Sequence, residues 1–69
     1  MQPSEIFELI VKADELLKYA ASGKADVRVR RARELLEHAR AAGHEIGNDS
    51  LVAQAETRLA DIDALPGQA

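Results

Sequence analysis

The sequence predicts an all-α fold: a small antiparallel three-helix arrangement in which a helical hairpin is followed by a third helix. Two observations carry that prediction. Apolar residues recur three and four apart through three consecutive segments, the spacing of one helix face. No stretch alternates with period two, and only short breaks rich in Ser, Gly, Asn and Asp separate the segments. Residues 1–69 read as a single helical domain, with helices at about 4–22, 26–46 and 49–65 and a tail at 66–69.

Pro3 and Ser4 open the first helix, with Ser4 as N-cap and Glu5 and Glu8 in the first turn, where the helix dipole favours acids. Its inward face is Ile6, Leu9, Ile10, Ala13, Leu16, Leu17 and Ala20, and Glu8 with Lys12 and Asp14 with Lys18 form acid-before-base pairs one turn apart. Ser22-Gly23 stops it. Asp26 is the natural N-cap of the second helix, whose seam runs Val29, Ala32, Leu35, Leu36, Ala39, Ala42 and Ile46, with Gly47 as its end. Gly43 inside that seam costs about 1 kcal/mol of helix propensity, so it either admits a close neighbouring backbone or breaks the helix a turn early. Asn48 or Asp49 caps the third helix, Leu51, Val52, Ala55, Leu59 and Ile62 face inward, and Pro66-Gly67 closes it. The junction is expected to bury Ile10, Leu17, Leu35, Leu36 and Leu59.

Composition narrows the function classes. Of the 69 residues 32 are apolar, but 13 of those are alanine and only Phe7 and Tyr19 are aromatic, so the core must be thin and gains from self-association. The lack of cysteine removes disulfide and thiolate chemistry. No apolar run approaches the roughly 18 residues of a membrane span, and Met1 to Glu5 has no basic start leading into an apolar stretch, so a soluble, cytoplasmic protein is expected. A net charge of −3 offers no global attraction to nucleic acid or anionic membrane. The charge is segregated: residues 1–23 carry two lysines against four acids, 24–40 six cations against three acids, and 41–69 one arginine against five acids. Antiparallel neighbours can use such blocks to attract one another.

Residues off the seams supply the candidate contact surfaces. On a helical wheel Phe7 and Val11 fall away from the main seam of the first helix, and Tyr19 lies on the opposite flank beside Lys12. Behind the inward face of the third helix runs a small-residue stripe, Ala53, Thr57, Ala60 and Ala64, narrow enough for a second helix to come close; alanine is also simply a good helix former. Lys24, Arg28 and Arg31, three or four apart at the start of the second helix, form a basic shoulder suited to acidic tails or carboxylates. Arg28, Arg30, Arg31 and Arg33 near a helix N-terminus oppose its dipole, so acids should offset them: Arg30 with Glu34, Arg33 with Glu37, and acids of neighbouring helices.

Ala32-Arg33-Glu34-Leu35-Leu36-Glu37-His38-Ala39, the turn Glu45-Ile46-Gly47-Asn48, and then Ala53, Ala55, Leu59, Ala60 and Ile62 resemble the tetratricopeptide repeat. In that family a small residue, a bulky one four later and a small one three later mark the second helix of a repeat, here Ala32, Leu36 and Ala39. Leu59-Ala60 matches the first helix of the next. The resemblance covers about residues 26–63, one and a half repeats, without the family's usual Trp or helix-ending Pro. It implies a helical protein-binding module; a three-helix relative or a bundle that converged on the pattern stays open.

Ile46-Gly47-Asn48-Asp49-Ser50-Leu51 before a helix also resembles the phosphopantetheine attachment site of acyl and peptidyl carrier proteins, which would put the prosthetic arm on Ser50. Only 19 residues follow Ser50, and a continuous helix precedes it where carriers have a long loop. Helix capping explains the same letters. His38 and His44, six apart, point about 120° from one another, and Glu34 with His38 is one ligand pair where zinc needs three or four. No nucleophile sits near a base at a recognisable spacing, and no glycine-rich phosphate loop occurs. The arginines form no single stripe and have no interleaved aromatics. The sequence therefore predicts a non-enzymatic protein–protein interaction or self-association module, a homodimer being one form, without cofactor, metal, nucleic acid or membrane as partner. A carrier modified on Ser50 is the alternative.

Overall fold

The computed structural model describes residues 1–20 and 24–65. Among them stand three α-helices, α1 Pro3–Lys18, α2 Ala25–Glu45 and α3 Asp49–Asp63. Tyr19 at the end of α1 meets Arg28 at the start of α2. Gly43 late in α2 meets Val52 early in α3, while Arg33 early in α2 meets Asp63 at the end of α3, so α2 and α3 run antiparallel. At 21 residues α2 is about 32 Å long and accounts for the 35 Å extent of the chain.

The helix ends show which cap chemistry won. Pro3 takes the first helical position, where its missing N–H costs nothing, so the N-cap is Gln2 and not Ser4. The Glu5 carboxylate reaches back to accept the Gln2 main-chain N–H at 2.8 Å. Helix α1 ends at Lys18 rather than near residue 22, with Tyr19 as C-cap; the expected Ser22-Gly23 stop lies outside the described residues. Lys24 enters α2 from the left-handed region at φ 52°, which moves the cap two residues ahead of Asp26 and leaves that acid in the first turn. At the other end Gly47 adopts φ +69° and donates its N–H to the His44 carbonyl, while Asn48 donates to the Gly43 carbonyl at 2.9 Å. That paired closure is the Schellman arrangement, which a glycine makes without Cβ strain. Asn48 then caps α3 by accepting the Leu51 N–H at 3.1 Å. Helix α3 stops at Asp63, short of residue 65, and the Pro66-Gly67 closure and the tail fall outside the described residues.

The core is as thin as the composition requires. Ile6, Ile10, Leu36 and Ile62 are the large side chains wholly removed from solvent, and between them Ala13, Ala32, Ala39 and Ala55 are also fully buried. Alanine at these contacts lets helix axes close up, so a small apolar inventory still forms one continuous core. Of the five residues expected at the junction, Ile10, Leu35, Leu36 and Leu59 are buried, whereas Leu17 is only half-buried at the margin with Leu9, Leu16 and Ala20. Ile46, assigned to the α2 seam, is 41% exposed because the Schellman turn carries the chain off the helix before that position can face inward.

Gly43 stays inside α2 and is buried there. A Cβ built on it would stand 2.9 Å from Val52 Cγ2 and 3.4 Å from the Val52 main-chain nitrogen, so the glycine admits the first turn of α3. Gly43→Ala should therefore lower stability by about 1–2 kcal/mol in urea denaturation despite its better helix propensity, and a double-mutant cycle with Val52→Ala should show coupling at this contact. Leu36→Ala removes a wholly buried side chain and should cost about 2–5 kcal/mol, enough to unfold the domain; an unchanged thermal midpoint would contradict the assigned packing.

Candidate functional site

Because α1 and α3 both pack on α2 and touch one another only slightly, the outer flank of the α1/α2 seam has no third helix over it. A groove of about 710 Å³ opens there. From α1 it is lined by Leu9, Lys12, Glu15, Leu16 and Tyr19, and from α2 by Arg28, Arg31 and Leu35. Helical periodicity places them: Leu9, Lys12, Leu16 and Tyr19 share one stripe of α1, and Arg28, Arg31 and Leu35 share one of α2. The floor is leucine and the rim carries three cations and one acid, in a chain whose total charge is negative.

The two arginines of the rim are held differently. Arg28 Nη1 donates to the main-chain carbonyl of Tyr19, the C-cap of α1. A cation on the last carbonyls of a helix is favoured by the dipole. Arg28 thus ties the start of α2 to the end of α1. Arg31 pairs with Glu34 of its own helix at 3.2 Å, both side chains being about 60% exposed, a geometry worth little in water. Tyr19, 54% exposed, also has the Lys18 ammonium 5.6 Å from its ring centre.

The remaining candidate residues do not converge with these. Lys24 is the N-cap of α2 and lies outside the groove lining. Phe7 and Val11 are exposed, as the wheel implied, but they share their stripe with Asp14, which reaches Arg58 of α3 at 2.8 Å, so they follow the α1/α3 edge. Ala53, Thr57, Ala60 and Ala64 are all exposed along the outer face of α3. The three candidate surfaces therefore stay separate, and of the basic shoulder only Arg28 and Arg31 line the groove. Sequence reasoning missed Leu9, Lys12, Glu15, Leu16, Tyr19 and Leu35 as site residues, although the seven-residue spacing of Leu9 to Leu16 and of Lys12 to Tyr19 was available to suggest a shared second face.

The ion pairs expected within helices also give way. Among the described residues they are Arg31 with Glu34, Arg33 with Asp63 at 2.8 Å and Arg58 with Asp14, so Asp14 reaches across to α3 in place of Lys18, and Arg33 reaches Asp63 in place of Glu37. Arg58 is steadied by donating to the Gln54 carbonyl at 3.0 Å. Ser50 is exposed in the first turn of α3, with its Oγ accepting from the Gln54 amide at 3.3 Å. Among the described residues no group of three or more His, Asp or Glu side chains is placed to hold a metal, and no helix is long and apolar enough to cross a membrane.

Comparison with protein-family models, with curated protein sequences and with solved structures finds no match to the chain. The different roles of the two arginines make a direct test. Arg28→Gln should lower stability by about 0.5–1.5 kcal/mol by leaving the Tyr19 carbonyl without its cation, whereas Arg31→Gln should stay within about 0.5 kcal/mol. Equal midpoints for both variants in urea would mean that Arg28 contributes nothing to the α1–α2 junction.

Proposed function

We propose that the chain is a non-enzymatic protein-interaction module, similar to a minimal tetratricopeptide unit, whose contact site is the α1/α2 groove. The observation that carries this reading is the leucine floor of Leu9, Leu16 and Leu35 held open beneath the cations Lys12, Arg28 and Arg31. Such a surface removes a partner's apolar side chains from water while the rim sets charge preference and orientation. The tetratricopeptide likeness adds support through Ala32, Leu36 and Ala39, which are wholly buried where that pattern requires close helix contact.

Phe7, Val11 and Leu65, exposed beside the same slender core, favour a second copy as an additional partner. Ser50, exposed at the start of α3, is the one observation that favours the carrier reading.

A photoreactive amino acid at Lys12 or Tyr19, introduced in the native host, should give discrete protein adducts, and the same group at Glu37 on the outer face of α2 should not. Equal labelling from both faces would end the groove reading. Sedimentation at micromolar concentration separates a self-associating chain from a monomer of 7.5 kDa. Intact mass after co-expression with a phosphopantetheinyl transferase should be unchanged; a gain of one arm on Ser50 would replace the module reading with the carrier.

A further inference from the structure

What the groove accepts can be narrowed by what its walls lack. Both walls are helices, so their main-chain amides and carbonyls are satisfied internally and present no edge to which an extended peptide could pair. An extended occupant would bring unsatisfied backbone against Leu9, Leu16 and Leu35, whereas a helix brings its own hydrogen bonds with it. The lining stripe from Leu9 to Tyr19 rises about 15 Å, the length of two to three helical turns. A groove of about 710 Å³ floored by leucines calls for large apolar side chains at positions one turn apart. The exposed residues of α3, among them Ala53, Thr57, Ala60 and Ala64, include no large apolar side chain to fill it, so that face of a second copy is a poor occupant.

The charge of the rim completes the argument. Arg28 is engaged with the Tyr19 carbonyl, which leaves the discriminating contacts to Lys12 and Arg31. The Arg31 pairing with Glu34 is exposed and separated by 3.2 Å, so exchanging Glu34 for an incoming carboxylate costs little. Glu15 is the single acid in the lining against three cations, so the rim as a whole still disfavours a basic occupant. Resting on the groove as the module's contact site, we infer that its occupant is an acidic amphipathic helix of a partner protein, two to three turns long. It lays large apolar residues on Leu9, Leu16 and Leu35 and sets Asp or Glu against Lys12 and Arg31. Bound in this way it is a fourth helix on the α1/α2 pair, covering the flank that α3 leaves open.

The test is selection from a displayed library of 14-residue peptides, randomised without bias toward charge or helicity, against the full chain. The inference expects winners with large apolar residues at i, i+3 or i+4, and i+7, flanked by Asp or Glu, that gain helical circular dichroism on binding. Their affinity should fall about tenfold on Lys12→Gln/Arg31→Gln, a double variant whose thermal midpoint stays unchanged because both positions are exposed, and it should weaken as salt rises. Winners that are basic or proline-rich, winners indifferent to the double variant, or no winners at all would overturn it. So would self-association abolished by the same variant, since the occupant would then be a second copy. Groove-specific adducts in the host combined with any of these results would sink the acidic helix alone and leave the groove as an interaction site; absence of groove-specific adducts would remove both.

Discussion

Ala32 and Ala39 are fully buried on the one apolar face of α2, and their small size lets α1 and α3 approach that same face closely. The four large side chains that are wholly buried belong to a core organised around α2, on which both α1 and α3 pack, while α1 and α3 barely touch one another. Their edge is bridged instead by the Asp14 to Arg58 pair, and the C-terminal end of α3 is tied to α2 by Arg33 with Asp63. Both pairs are partly exposed and contribute up to about 1 kcal/mol each. Packing on α2 therefore sets the stability, and the ion pairs select the arrangement of the outer helices.

The groove follows from that same constraint. A central helix that spends its apolar face on two neighbours leaves the outer flank of the α1/α2 seam half covered, and Leu9 and Leu16 remain at the boundary between core and solvent. Cations on the flanking stripes cover such a boundary in the unbound protein, since their alkyl stems lie over apolar surface while their heads stay in water. The proposed acidic helix would meet these same cations. Neighbouring cations of this rim are held differently: Arg28 closes the carboxyl end of α1, and Arg31, one turn later, pairs with an exposed neighbour on its own helix.

Charge blocks along the chain describe this arrangement only coarsely. A basic middle between acidic ends accounts for Arg33 meeting Asp63 of the acidic third segment. It does not account for Arg58, the one cation of that segment, reaching α1. Coulomb attraction at contact distance depends on which side chains share an edge, and segment totals carry no information about edges.

Helix number, helix faces and the thinness of the core were legible in the sequence because they depend on local periodicity, propensity and composition. Every residue assigned to the inward face of α3 is buried, and Gly47 and Asn48 act at the turn for the reasons their chemistry supplies, a left-handed backbone and a side-chain acceptor. Ser4 and Asp26 were misread as caps because Pro3 and the left-handed Lys24 set the helix starts, and several residues nearby had the right chemistry for the role. The candidate site was legible only in part. Arg28 and Arg31 could be placed on one shoulder, and Tyr19 beside Lys12, yet nothing local says that these two sets face one another across a groove. Only the packing of α3 on one side of the α1/α2 pair decided which flank stays open. That choice places Phe7 and Val11 on one edge, the small-residue stripe on another and the cations around the leucines, because a single sequence-local wheel cannot specify where a third helix, more than twenty residues away, will sit.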